Sequence, residues 1–117
     1  MEPLKQDSKL LRIFIGDADM LHHTPLYEAI LIKAKTSGLA GGTVLRGMMS
    51  FGASSRLHTV KLLDLSTDLP IIVEIIDHEE KIRAFIEEVG LMIEEAGCGG
   101  LITVEKAEVA YYKPKRH

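Results

Sequence analysis

Three groups of residues in this chain have the types and spacing to do chemistry. The first is a set of glycines at two separated places: Gly38, Gly41, Gly42, Gly47 and Gly52 punctuate one stretch, and Gly97, Gly99 and Gly100 open another. Glycine serves tight turns and bulges, and bare backbone amides at two turns can also cradle phosphate oxygens without charged side chains. The second is Arg46, a cation in an otherwise apolar, glycine-flanked run. Its planar fork of donors suits a phosphate, or else an ion pair with a carboxylate such as Glu74 or Glu105. The third is Asp17, Asp19, His22 and His23, two carboxylates and two imidazoles close enough in sequence to offer ligands to a divalent ion. Adjacent histidines rarely both face one metal, and the sequence shows no outer partner to orient them. Cys98 sits between glycines near a helix C-terminus, where the dipole raises a thiol pKa, so a thiolate nucleophile is not expected. The chain has no G-x-S-x-G elbow, Walker loop or H-E-x-x-H.

The elements that must position these groups follow from periodicity. Lys9 to Gly16 carries apolar side chains on both faces and predicts a buried strand, broken by Asp17, Ala18 and Asp19. Thr24-Pro25 predicts a helix start with proline at the first helical position. Leu26, Ile30 and Ala34, with Tyr27 and Leu31, form its inward stripe, and Gly38 ends it. A strand is expected from Gly42 to about Phe51, then a polar excursion over 53–69, then a returning apolar strand to Asp77. Asp77 and Glu80 read as a D-x-x-E capping pair for a second helix, with Ile82, Phe85, Ile86, Val89 and Ile93 on one side. Arg83 and Glu87 fall among the charges on its other side. The run from Ala96 to Gly100 stops this helix, and Leu101 to Tyr112 reads as the last strand.

Strand, helix, strand, excursion, strand, helix, strand is the split βαβ order of an α+β, ferredoxin-like domain, two helices covering one face of a four-stranded antiparallel sheet. The expected organisation is a tail over 1–8, one domain over 9–113 with its arm at 53–69, and a basic tail over 114–117. Two helices leave the second face bare. Leu10, Phe14, Ile72 and Ile76 belong to it, opposite Leu11, Ile13, Ile71 and Val73, and such a face calls for a partner.

At 117 residues the chain is of single-domain size, with 46% apolar and 26% charged residues. A net charge of −3 argues against nucleic-acid binding. One cysteine excludes an internal disulfide, and no apolar run approaches the roughly 18 residues that span a membrane. A polar N-terminus without a signal-peptide core makes the cytoplasm the default location.

The wording itself resembles the PII signal-transduction proteins in Gly38, Gly41, Thr43 and Val44, then Phe51-Gly52, His58-Thr59 and Leu69-Pro70. It resembles more closely the PII-like family catalogued as domain of unknown function 190, from LRIFIGD through PLYEAI, GLAGGTVLRG and LP to GLITVE. The resemblance implies a homotrimer with an adenine nucleotide (ADP, ATP or AMP) between subunits. Thr43 then lies near the adenine, Gly52 and the Gly97, Gly99 and Gly100 loop face the phosphates, and Tyr111 and Lys113 stand where PII proteins carry two arginines. Departures narrow the inference. Gly100 replaces the lysine of the PII glycine loop, no glutamine follows Phe51-Gly52, and no tyrosine lies between Ala53 and Leu69. Nucleotide binding survives these changes, but nitrogen-sensing chemistry does not.

The expected function is therefore a non-enzymatic regulator that binds an adenine nucleotide and signals through its arm to a membrane transporter or an enzyme. Alternatives are a metal-assisted hydrolase using Asp17, Asp19, His22 and His23, and an assembly module with no small ligand.

Overall fold

The computed structural model describes residues 7–48 and 68–114. Its four-stranded antiparallel sheet is built from β1 (Ser8–Gly16), β4 (Gly41–Arg46), β5 (Pro70–His78) and β6 (Leu101–Lys106), in the order β4-β5-β1-β6. A short ribbon of β2 (Met20–Leu21) and β3 (Thr24–Pro25) precedes α1 (Leu26–Thr36), and α2 (Glu79–Ala96) joins β5 to β6. Both helices pack on one sheet face, as the ferredoxin-like order requires.

Alternation along the two central strands decides which face that is. Leu11, Ile13 and Ile15 stand opposite Ile75, Val73 and Ile71 in the β1–β5 register, and all six are buried. Leu26, Ile30 and Ala34 of α1 and Ile82, Phe85 and Val89 of α2 close the core from above, with Tyr27, Leu31, Ile86 and Ile93 packed around them. These are the stripes read from the helical spacing.

The other face is laid out in rows. Leu45, Ile72, Phe14 and Leu101 form an apolar row across all four strands, and Leu45 (43%) and Leu101 (56%) are substantially exposed. The next row is polar. Arg12 donates from Nε to Glu74 at 2.9 Å and from Nη1 to Glu105 at 3.1 Å, and the Glu74 bond, against partial desolvation, raises the guanidinium pKa. Beyond it lie Ile76 and Leu10.

Several boundaries differ from the sequence reading. β6 ends at Lys106 rather than Tyr112 because its partner runs out: Lys106 pairs with Lys9, and the next amide, of Ala107, bonds the Ser8 carbonyl at 3.0 Å. The segment then crosses the end of the sheet, and the Tyr112 hydroxyl donates to the Ala40 carbonyl at 3.2 Å. Regular β4 structure ends at Arg46, and the rest of the expected strand to Phe51 lies largely outside the described residues. Pro25 is the residue before α1 rather than its first, with an extended ψ of 134°, and the Asp19 carbonyl accepts the Leu26 amide. Arg83 pairs with Glu79 at 3.5 Å, not with Glu87.

Asp77 is not a helix cap, since His78 holds that place without a side-chain bond. Its buried carboxylate instead accepts the Ala40 amide at 2.9 Å and the His78 amide at 2.6 Å, tying the α1–β4 turn to the β5–α2 junction. Asp77→Ala should cost about 1–3 kcal/mol for each amide it strands. Urea unfolding measures this, and an unchanged midpoint would show that the turn finds other acceptors.

Candidate functional site

Apart from Thr43, the described members of the expected site fall at the two opposite ends of the sheet. Arg46, Gly97, Gly99 and Gly100 gather at the end where β1 finishes. Gly97 takes the left-handed conformation (φ 71°) that closes α2, and the space where a Cβ on Gly100 would stand is 3.5 Å from both the Phe14 carbonyl and Ile15 Cγ2. Tyr111 and Lys113 flank Tyr112, which reaches Ala40 at the other end. From Arg46, opposite Ile71, to Gly41, opposite Ile76, is about 17 Å of strand. Thr43 lies between, opposite Glu74 on the open face. Gly52 and most of the arm at 53–69 lie outside the described residues. One chain therefore does not bring the described members of the set together.

The amides of the glycine turn are only partly available. Gly97 N–H donates to the carbonyls of Ile93 and Glu94, and Cys98 N–H to Ile93, so both close the helix. Any anion contact from this turn falls to Gly99 and Gly100. Arg46 is engaged as well, but not with Glu74 or Glu105, which belong to Arg12. It points to the helix-bearing side of β4, and its Nη2 donates to Asp17 Oδ1 at 3.0 Å. Since the Arg46 side chain is 53% exposed, a ligand phosphate can compete for it.

The loop weighed as an alternative metal site is spent on structure. Asp19 Oδ2 accepts the Gly16 amide at 2.7 Å, Asp17 faces Arg46, and His22 Nε2 lies 2.6 Å from Glu95 Oε2. His22 and His23 form the turn between β2 and β3, with His22 at φ 58°. Among the described residues, no three of His, Cys, Asp and Glu converge to hold a metal ion. The Cys98 thiol has its pKa raised, first by burial and then by the neighbouring Asp19 carboxylate.

Asp68 was missed by sequence reasoning, although it ends the polar excursion. Its Oδ1 accepts the Ala18 amide at 3.0 Å, and it fills the space beside Gly16 so closely that a Cβ there would meet it at 2.6 Å. A groove of about 310 Å³ between α1 and the start of β4 is lined by Leu31, Ile32, Ala34 and Leu39 with Glu28 and Lys35. Of the glycines singled out from the sequence it takes in Gly41 and Gly42, but it includes none of Thr43, Arg46, Gly97, Gly99, Gly100, Tyr111 and Lys113, and its mostly apolar wall does not suit a phosphate.

A ferredoxin-like sheet with paired helices on one face and a glycine turn before its last strand defines a PII-like fold. Solved structures agree: a nitrogen regulatory PII-like protein, CPII, from Thiomonas intermedia K12, bound to ADP, AMP and bicarbonate, superposes with a TM-score of 0.64 over 89% of each chain at 18% identity. A putative PII-like signaling protein from Thermus thermophilus gives 0.51 over 87% of this chain and 88% of its own, at 20% identity. Residues 8–109 match the DUF190 family, described as "Uncharacterized ACR". A UPF0166 protein of Aquifex aeolicus is 42% identical over 103 residues, covering 88% of this chain and 93% of its own. A UPF0166 protein of Methanocaldococcus jannaschii is 28% identical over 90 residues, covering 77% and 82%. The chain belongs to the DUF190 (UPF0166) family.

Proposed function

We propose that the protein is a non-enzymatic PII-like regulator that binds an adenine nucleotide between subunits and signals its occupancy to a protein partner. The observation that carries the reading is the fold shared with CPII, whose structure is bound to ADP and AMP, over 89% of each chain. The split of the candidate residues supports the inter-subunit part. Arg46 with Gly99 and Gly100 at one end of a sheet, and Tyr111 with Lys113 at the other, become one site when the end of one subunit meets the opposite end of the next. The apolar row on the open face gives that association its driving force, and a trimer around a central axis brings three such faces together. The proposed setting is the cytoplasm. No helix among the described residues is long and apolar enough to cross a membrane, so a transporter partner would be met from outside the bilayer.

Calorimetry and thermal unfolding with ADP, ATP and AMP test this. A ligand at a hundredfold its dissociation constant should stabilise by about 2.7 kcal/mol. Lys113→Ala should weaken binding about tenfold to a hundredfold, the worth of one charge-assisted hydrogen bond. Gly99→Val should abolish it by steric block. No stabilisation by any of the three nucleotides would leave the assembly module as the better account.

A further inference from the structure

The loop from Asp17 to Asp19 faces in two directions. On one side it holds both flanks of the segment 49–67. The Asp17 amide donates to the Leu69 carbonyl at 2.7 Å, the Ala18 amide to Asp68 Oδ1 at 3.0 Å, and Asp17 Oδ1 accepts Arg46 at 3.0 Å. The two flanks also hold each other, Gly47 N–H donating to the Pro70 carbonyl at 2.7 Å. On the other side the same loop leans on the end of α2 and the glycine turn. β2 packs on α2, His22 pairs with Glu95, the Asp19 carboxylate stands beside Cys98, and Gly100 lies against Phe14 and Ile15, just ahead of the loop. Asp19 fixes the loop internally by accepting the Gly16 amide at 2.7 Å.

We propose that the Asp17–Asp19 loop is a coupling element that fastens the glycine turn at 97–100 to residues 46–48 and 68–70, so that freeing a flank loosens the turn. The coupling rests on the nucleotide reading only for its purpose, since that reading makes the turn a ligand contact. The connection itself exists without ligand.

Cys98 reports the state of the turn, and as the chain's one cysteine its reaction with an aromatic disulfide reagent is unambiguous. Arg46→Gln removes the Asp17 ion pair from a half-exposed position and leaves the core alone. Electrostatics and coupling then predict opposite signs. Removing a positive charge from this end of the sheet can only disfavour the thiolate and slow the reaction. Loosening the turn exposes the thiol and speeds it by about fivefold, the shift in an opening equilibrium that follows loss of a modest ion pair. Faster reaction of Cys98 in unliganded Arg46→Gln supports the coupling, and an equal or slower rate overturns it. Amide exchange at Gly99 and Gly100 in Asp17→Ser, which breaks the same pair from its other member, should also rise, and unchanged exchange counts against the proposal. Lys33→Gln breaks a pair with Glu88 on the helical surface and should leave the Cys98 rate unchanged. An equal acceleration there would show general loosening and also overturn the coupling. ADP calorimetry on the wild type separates the two ideas, since absence of binding removes the nucleotide reading while the thiol rates still judge the coupling.

Discussion

Ile72→Asp should turn the assembled protein into single chains of 12.9 kDa, read by size exclusion with light scattering. Ile72 sits in the apolar row between Leu45 and Phe14. Within one chain that position is half-buried and diagonal to Arg12, so a carboxylate there keeps water and a cation within reach, and the subunit still folds. Pressed against another subunit, the same carboxylate loses its water without a dedicated partner, a penalty of several kcal/mol per ion. Each interface repeats that loss. A wild-type mass of three times 12.9 kDa that persists in folded Ile72→Asp would place the subunit contact elsewhere. A wild type that is already a single chain at micromolar concentration would remove the inter-subunit site altogether.

Phe85→Ala should cost about 3–5 kcal/mol in urea unfolding. Phe85 is 2% exposed and is the largest fully buried side chain among the described residues, set where α2 meets the sheet. Removing the ring leaves a cavity in a close-packed core of Leu, Ile and Val residues from both central strands and both helices, which cannot collapse fully to fill it. Against a total stability of about 5–15 kcal/mol, a loss of this size leaves the protein marginal at best. A cost under about 1 kcal/mol would mean that α2 slides inward to heal the gap.

The architecture was legible because periodicity carries it. Period two in LLRIFI and PIIVEII sorts Leu11, Ile13, Ile71 and Val73 from Leu10, Phe14, Ile72 and Ile76, and helical spacing marks Ile30, Phe85 and Val89, all as the structure has them. The same period places Arg12 and Glu74 at the middle of the open face, a signal present in the sequence but not drawn from it. Partnership across the sheet was less legible. Register decides that Glu74 and Glu105 take Arg12 and leave Arg46 to Asp17, and register depends on which strands are neighbours. Asp77 had the spacing of a helix cap but went to a backbone amide far away in sequence, at Ala40. The end of β6 was set by the length of its partner, which no local pattern in the last strand encodes.

The path of the chain after β6 bears on how the fold forms and persists. Tyr112 and Ala40 are 72 positions apart, and their hydrogen bond forms only once β6 has zipped onto β1 and the following segment has crossed the sheet end. Closing so long a loop carries an entropic cost that earlier pairings must offset first. The contact therefore belongs to the native side of the folding barrier: it adds little to the speed of folding and acts instead as a brake on unfolding. β4, among the described residues an edge strand laddered only to β5, gains from this late fastening a longer lifetime than its own hydrogen bonds provide.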